Sequence, residues 1–245
     1  MKVIAEHIAV KYVIGDIKNL GLKDVVIQKL TGKRDVREFW AVKDVSFSLQ
    51  KGDMLGIVGS NGSGKSTLLK VVSGIMRPTR GALTVEGSVA ALLELGSGFD
   101  SALTVRENTF LRGAMLGYTK KYMREIYGAI IDFAELQDFQ DLPFKNLSSG
   151  MKSRLAFALA SLVEPEILIL DEVLAVGDAG FRKKSERKMM DIIAKGTIVL
   201  YVSHGAQQVR NLCNKAIWIE KGERRAYGET EAVVDEYEAF LESKG

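Results

Sequence analysis

The chain has 245 residues, of which 47% are hydrophobic and 27% charged, and its 34 basic and 31 acidic side chains leave a net charge of only +3. These values are typical of one soluble α/β domain, and they neither indicate a nucleic-acid partner nor leave room for two such domains. No apolar run is long enough to span a bilayer and residues 1–6 lack the layout of a signal peptide, so we expect a cytoplasmic protein. The single cysteine, Cys213, excludes an internal disulfide, and with only His7 and His204 it cannot complete a four-ligand metal site; we interpret it as a packing residue.

Residues 15–37 form the least regular stretch of the chain. Leu22, Val26 and Leu30 could share a helix face, and positive charge comes from Lys18, Lys23, Lys29, Lys33, Arg34 and Arg37. Most such segments are solvated surface helices. A basic amphipathic element can also lie against anionic membrane headgroups or a membrane-bound partner, and the pattern alone leaves both interpretations open.

The next elements are two strands that lead into a glycine-rich loop. Apolar side chains at positions 42, 45, 47 and 49 alternate in part, whereas the run 54–58 is continuously apolar and predicts a central parallel strand. Residues 59–66 then fit the phosphate-loop pattern at every fixed position. A helix is predicted directly after the loop from four apolar residues: Leu68, Leu69, Val71 and Val72.

The middle of the chain favours helices. Thr104 and Glu107 have the spacing of a capping box, and the sequence through Leu116 and from 120 to 135 has little β character. We therefore predict a helical subdomain over about residues 100–160.

The last third of the chain returns to strands. The apolar runs 167–170 and 197–203 predict two more buried strands, and the segments 216–220 and 224–227 flank a turn. The chain is then predicted to end in a helix that packs on the domain through Val233, Tyr237, Phe240 and Leu241.

The phosphate loop predicts a site for a nucleotide and Mg²⁺. Its glycines let backbone N–H groups and a helix N-terminus point at phosphate oxygens, Lys65 reaches the terminal phosphates, and Ser66 can ligate Mg²⁺. The predicted nucleotide-binding residues are Gly59, Ser60, Asn61, Gly62, Ser63, Gly64, Lys65, Ser66 and Thr67.

Three side chains at the ends of predicted strands are candidates for the chemistry. Asp171 is placed to organise Mg²⁺ opposite the loop, and Glu172 to orient or deprotonate the attacking water. His204 can contact the γ-phosphate or that water as a neutral imidazole. A solvated acidic strand end and a structural histidine are the alternatives, and the phosphate loop favours the catalytic interpretation.

A second anion site is predicted at residues 148–151. Ser148, Ser149, Gly150 and Met151 precede a helix that carries Leu155, Ala156, Leu159 and Leu162. The N–H groups and positive end of that helix suit an anion, yet one triphosphate does not need two cradles on separate helices of one subunit. A head-to-tail pair of subunits could use both.

With these motifs in this order, the chain resembles the nucleotide-binding subunits of ATP-binding cassette (ABC) transporters over nearly its whole length. The resemblance implies an α/β phosphate-loop cassette with a RecA-like parallel-sheet core, an N-terminal antiparallel β portion and a helical subdomain, in one domain over residues 1–245. It also implies a homodimer that holds ATP and Mg²⁺ between its subunits. Asp178 then belongs to the loop that links the two active sites.

Departures from the commonest cassette pattern point to one branch of the family. Ser149 and Met151 replace a glycine and a glutamine of the usual signature, and Glu94 falls where a glutamine is usual, as a possible metal-side ligand. Together with the runs 93–99 and 171–178 they resemble the ATPases that export cell-surface polysaccharides such as O-antigen and teichoic acid.

Membership of that branch implies two partners, a polytopic permease dimer and a lipid-linked glycan near the membrane. It also implies that the protein lies peripherally on the cytoplasmic face of the membrane, with residues 15–37 facing that membrane. Tyr12 is then the first candidate for stacking on adenine and Trp40 the second, although either can instead be a packing residue. We also expect no carbohydrate-binding domain of the kind that some of these exporters carry.

Alternatives within the same fold are the ATPase of another ABC exporter and a soluble cassette that acts on nucleic acid or ribosomes. Soluble cassettes commonly have paired cassettes or long coiled-coil inserts, and neither fits in 245 residues. A different class is an interaction protein with a degenerate site, which the presence of Lys65, Asp171, Glu172 and His204 disfavours.

Overall fold

The computed structural model describes residues 1–14, 37–92, 98–171, 178–203 and 205–243, and for Ile14, Leu92 and Asp171 only the main chain. Within these ranges the strands are β1 Lys2–Ile14, β2 Arg37–Gln50, β3 Met54–Val58, β4 Arg80–Glu86, β5 Val89–Leu92, β6 Ile167–Asp171, β7 Ile198–Val202, β8 Lys215–Glu220 and β9 Glu223–Glu229. The α-helices are α1 Lys65–Val72, α2 Val105–Met115, α3 Lys120–Ala134, α4 Ser149–Leu162, α5 Ala179–Ala194, α6 Ala206–Leu212 and α7 Thr230–Glu242, with 3-10 turns at Gln137–Phe139 and Phe144–Asn146. None of these helices is both long and apolar enough to cross a membrane.

The described strands form one mixed sheet in the order β4-β1-β2-β9-β8-β3-β7-β6-β5. Strands β8, β3, β7, β6 and β5 are parallel neighbours, whereas β4, β1 and β2 form an antiparallel end. The apolar runs at 54–58 and 167–170 become β3 and β6, which confirms their prediction as strands of the parallel part of the sheet.

Helices cover both faces of the parallel part, which explains why its strands are apolar throughout. Successive residues of β3 point to opposite faces. Leu55 and Ile57 pack with the buried side chains of α1, whereas Met54 and Val58 pack in a second cluster with α4, α5, α6 and α7. The four apolar residues of α1 that the sequence predicts are all buried.

Cys213 lies in the second of these clusters and is 8% exposed. Burial raises the pKa of its thiol to about 12, so the group stays protonated and behaves as a small apolar side chain. This confirms its interpretation as a packing residue.

Helices α2, α3 and α4 share a separate buried cluster built around Val105, Met123, Ile130 and Leu155. The predicted capping box begins α2: the Thr104 hydroxyl accepts from the Glu107 N–H at 3.1 Å, and the Glu107 carboxylate accepts from the Thr104 N–H at 2.8 Å. The two helices that the sequence predicts here are confirmed as α2 and α3.

The C-terminal helix α7 packs on the core as predicted, with one exception. Val233 is buried, and the rings of Tyr237 and Phe240 lie 5.7 and 4.9 Å from the Trp218 ring, centroid to centroid. Leu241 is 45% exposed, so its placement on this face was wrong. At about 100° per residue Leu241 lies roughly 80° round the helix from Val233, beyond the contact face.

Candidate functional site

The phosphate loop joins the end of β3 to the start of α1, and its shape depends on glycine. Gly59, Gly62 and Gly64 have φ of 146°, 75° and 111°, which residues with a Cβ rarely adopt. A Cβ on Gly59 would lie 2.0 Å from the carbonyl oxygen of Ile219, and one on Gly64 2.3 Å from that of Ala41. The loop therefore packs closely against β8 and β2 only because these side chains are missing.

The loop holds a buried cation beside an uncapped helix end. Lys65 is 6% exposed, and its Nζ donates to the main-chain oxygens of Gly59 and Ser60, each at 2.8 Å. The N-cap Gly64 offers no side-chain acceptor, and the first turn of α1 contains no acid. The Ser63 hydroxyl is buried and has no hydrogen-bond partner in the described parts of the chain. An anion would find the Lys65 ammonium group, the N-terminal end of a helix dipole and the Ser63 hydroxyl here.

The carboxyl ends of β3, β7 and β6 meet at the same edge of the sheet. Val202 of β7 is in register with Ile57 on one side and with Asp171 on the other. Val202 also lines the cleft over the phosphate loop. The main chain of Asp171 therefore reaches the edge where parallel sheets bind their ligands.

Several predicted site residues lie outside the described residues. These are Glu172, His204 and Glu94, together with the side chain of Asp171. The same holds for all of the predicted membrane-facing segment 15–37 except its last residue. Their roles stay predictions.

A cleft of about 260 Å³ lies over the phosphate loop, and two aromatic side chains line it together with the loop itself. Tyr12 of β1 and Phe39 of β2 stand directly opposite each other in the antiparallel pair, so their rings share a face. The Tyr12 hydroxyl donates to the Met76 sulfur at 3.6 Å. Phe39 is 51% exposed, which is unusual for a large apolar ring beside a polar loop.

Trp40, the second candidate for stacking on adenine, is not among the described residues that line this cleft. Its ring lies beside Lys11 and Arg80, with the Lys11 Nζ 5.7 Å and the Arg80 Cζ 5.2 Å from the ring centroid. Neighbouring residues in a strand point to opposite faces, so Phe39 takes the cleft side and Trp40 the other. Phe39 was not predicted to line the cleft, although the adjacent aromatic pair Phe39 and Trp40 was a usable signal.

The second predicted anion site stands apart from this cleft. The Ser148 hydroxyl accepts from the Met151 N–H at 3.2 Å and caps α4, whose first turn has no acid. Ser148 and Ser149 are exposed, and a Cβ on Gly150 would meet no atom closer than 4.0 Å. None of these residues is among the described residues that line the phosphate-loop cleft.

Asp178 caps α5 and is also bound by a cation from α4. Its Oδ1 accepts from the N–H groups of Gly180 and Phe181 at 2.9 and 3.0 Å, and its Oδ2 accepts from the Arg154 guanidinium. The bond from Phe181 and, after it, the charge of Arg154 lower the pKa of the Asp178 carboxyl. The contact with Arg154 was not predicted, because Arg154 lies 24 residues from Asp178 along the chain.

A phosphate loop at the carboxyl edge of a parallel sheet, a three-helix cluster and a second exposed helix N-terminus define the class of ATP-binding cassettes. A family model described as ABC transporter matches residues 42–175. The chain belongs to the ABC transporter family.

Two relatives indicate the branch of the family to which the chain is similar in sequence. The chain is 40% identical over 241 residues to the O-antigen export system ATP-binding protein RfbB of Klebsiella pneumoniae, with 96% of each chain covered. It is also 40% identical over 240 residues to the teichoic acids export ATP-binding protein TagH of Bacillus anthracis, covering 98% of this chain but 43% of that relative. The predicted resemblance to O-antigen and teichoic-acid export ATPases is thus confirmed.

A solved structure confirms the predicted fold. The ATP-binding cassette MJ0796, in a dimeric post-hydrolysis state bound to ADP and Pi, is similar with a TM-score of 0.74 at 20% identity, over 93% of this chain and 98% of that one.

Proposed function

We propose that this protein is the ATP-hydrolysing subunit of an exporter, in which two copies close on ATP and drive a separate membrane permease. The observation that carries the proposal is the separation of two anion-binding helix ends: α1 lines the nucleotide cleft, and α4 presents Ser148 to solvent. In the proposed dimer, a second copy in head-to-tail orientation brings the γ-phosphate held by its own phosphate loop to the N-terminus of α4.

Residues of this chain divide the work of hydrolysis between them. Lys65 neutralises the terminal phosphates, and the Ser66 hydroxyl and the Asp171 carboxylate would hold Mg²⁺. When bound, Mg²⁺ offsets the negative charge of the phosphates. Glu172, next along the chain, orients or deprotonates the attacking water, and His204 contacts the γ-phosphate. The buried Ser63 hydroxyl fits the proposed ligand, because a phosphate oxygen is an acceptor for it.

The substitution Glu172→Gln tests the shared site. We expect it to keep ATP binding, to lower turnover by at least about 100-fold and to trap a dimer with ATP, because the water loses its acceptor while both cradles remain. Turnover is measured by phosphate release, and the dimer by size-exclusion chromatography with light scattering. Near-normal turnover would remove Glu172 as the general base, and a monomer at saturating ATP would contradict the shared site.

The proposed cargo is a lipid-linked cell-surface polysaccharide. The support is the similarity to RfbB, an O-antigen export system ATP-binding protein, and to TagH, a teichoic acids export ATP-binding protein, each at 40% identity. In this proposal the protein lies on the cytoplasmic face of the membrane, with residues 15–37 near the lipid carrier and Tyr12 stacked on adenine.

Purification from membranes tests this part of the proposal. Tagged protein, extracted in mild detergent from its own host, is expected to bring down a polytopic membrane protein, and deletion of its gene is expected to stop display of a surface glycan. Recovery with ribosomes or nucleic acid, and unchanged surface glycan, would favour the soluble-cassette alternative.

A further inference from the structure

The turn between β8 and β9 supports the phosphate loop from behind. The Ser60 hydroxyl donates to the Glu220 carboxylate at 2.9 Å. The Gly222 N–H donates to the main-chain oxygen of Ser63 at 2.8 Å. The main-chain oxygen of Gly222 in turn accepts from the Lys43 N–H of β2, also at 2.8 Å. Two residues of the loop are thus bonded to one short turn, which is itself fixed to a neighbouring strand.

Glu220, the last residue of β8, places a carboxylate inside the protein, where the residue is only 4% exposed. Burial and, after it, the negative charge of Glu220 raise the pKa of the Tyr237 hydroxyl, so this charge also reaches α7. A carboxylate removed from water needs hydrogen-bond donors in place of its hydration shell, and the Ser60 hydroxyl is one of them. Because movement of Ser60 away from the turn would take that donor from a buried group, Glu220 favours the loop position in which the bond is made.

Ser60 links two buried side chains of opposite charge. Its main-chain oxygen accepts from the Lys65 Nζ at 2.8 Å, while its hydroxyl donates to Glu220. Lys65 is the group that meets the terminal phosphates in the proposed function. Neither Ser60 nor Glu220 is among the described residues that line the cleft. Any effect of Glu220 on the nucleotide is therefore passed through the loop.

We propose that Glu220 is a positioning residue that holds the phosphate loop in its nucleotide-binding shape. Through the Ser60 hydroxyl it fixes the main-chain oxygen to which Lys65 bonds, and with it the place from which Lys65 reaches the phosphates. The role concerns binding of the nucleotide and not the chemical step. The inference depends on the proposed ATP site, and it is independent of the dimer and of the cargo.

Glu220→Ala and Glu220→Gln test the proposal as a pair. Alanine removes the acceptor, so we expect the KM for ATP to rise about tenfold while kcat stays within about twofold, because the groups that act on the bound nucleotide are unchanged. Glutamine keeps an acceptor of the same shape, so the KM should return to within about threefold of the parent. Steady-state phosphate release gives both constants, and titration with a fluorescent ATP analogue gives the affinity of the monomer.

Asp53 offers a matched control, because it is also a buried carboxylate but lies at the opposite end of the same pair of strands. It directly precedes β3, is 7% exposed and accepts from the Lys215 Nζ of β8 at 2.8 Å. Asp53→Ala should lower the thermal unfolding midpoint, as Glu220→Ala does, yet leave the KM for ATP unchanged. Similar rises in KM in both variants would indicate a general loss of stability and would overturn the positioning role.

Ser60→Ala breaks the same bond from the loop side. Alone it should raise the KM for ATP as Glu220→Ala does, and in the Glu220→Ala background it should add less than about twofold, since both changes remove one bond. Fully additive effects would show that the two residues act separately and would overturn the inference. An unchanged KM in Ser60→Ala would do the same, even if Glu220→Ala does not fold.

The outcomes separate this inference from the function on which it depends. If the parent protein binds no ATP, the proposed function fails and the positioning role with it. If the parent binds and hydrolyses ATP and a folded Glu220→Ala variant has the same KM, only the role of Glu220 is wrong. A KM in Glu220→Gln as high as that in Glu220→Ala would also overturn it, because the hydrogen-bond acceptor would then not be the cause.

Discussion

Helices α1 and α4 both present an acid-free N-terminus to solvent or ligand, but they are built in opposite ways. The start of α1 is a glycine turn pressed against neighbouring strands, with Lys65 buried inside it. The start of α4 is capped by the Ser148 hydroxyl and has open space around Gly150. The first end packs within one chain, whereas the proposed function gives the second end a phosphate of the partner subunit as its ligand.

The two helix ends differ in whether the fold itself requires glycine. At Gly64 the backbone needs a positive φ and a close approach to Ala41, so the requirement is internal to the fold. At Gly150 nothing in the described structure conflicts with a side chain. A requirement for glycine there would have to come from a partner.

The largest expected effect is that of Lys65→Ala. Loss of the buried ammonium removes a charge-assisted contact worth about 1.5–3 kcal/mol, so we expect ATP affinity to fall by at least about tenfold. Isothermal titration calorimetry on the monomer measures it directly. An unchanged dissociation constant would count against the assignment of the phosphate loop.

The paired substitutions Gly64→Ala and Gly150→Ala test whether the fold itself requires glycine at the start of α1 and of α4. Gly64→Ala should destabilise the domain by about 1–3 kcal/mol and weaken ATP binding in the monomer, because φ is strained and the Cβ clashes. Gly150→Ala should leave stability equal or higher by up to about 1 kcal/mol, since alanine loses less backbone entropy than glycine when it enters a helix.

The same Gly150→Ala variant is expected to lose ATP-dependent dimerisation and hydrolysis while its monomer still binds ATP. Denaturant unfolding and light scattering give the two readouts. If Gly150→Ala dimerises and turns over like the parent, α4 does not meet a ligand of the partner subunit.

The smallest effect is expected for Ser148→Ala. Removal of the cap should cost about 1 kcal/mol of stability, seen as a modest fall in the unfolding midpoint. Ser148→Asp is the matched variant: it restores the cap but places a negative charge where a phosphate is proposed, so stability should return and dimerisation should not. If Ser148→Asp recovers both stability and dimerisation, Ser148 acts only as a helix cap and does not contact a phosphate.

Local patterns accounted for most of the fold. The phosphate loop, β3, β6, β7 and the capping box of α2 each depend on a short run of residues, and each lies where the sequence predicts it. Strand β4 was not predicted, because its apolar alternation is short: only Leu83 and Val85 are partly buried against the core, and none of its residues is fully buried. Strand β5 has only four residues.

The parts of the site that were not predicted depend on contacts between residues that are far apart in the sequence. The choice between Phe39 and Trp40 follows from the register of β2 against β1, which neither strand shows alone. Arg154 meets Glu135 and Asp178 through the packing of α3, α4 and α5, and one arginine in a helix carries no mark of such contacts. The predicted packing of Leu241 was wrong because helical spacing alone does not show how wide the contact face of the helix is.

The joint between β2 and β9 has a consequence for how the molecule opens. These strands are in register at one position only, Asp44 opposite Glu223, and the Arg224 and Tyr227 side chains bond main-chain oxygens of β2 across the joint. Amide hydrogen exchange near such a seam reports local opening rather than global unfolding. A nucleotide that contacts Tyr12 on the antiparallel side and Lys65 on the parallel side would stabilise the paired state of β2 and β9. The rate of amide exchange at this seam and the affinity for the nucleotide would then both report the same opening equilibrium.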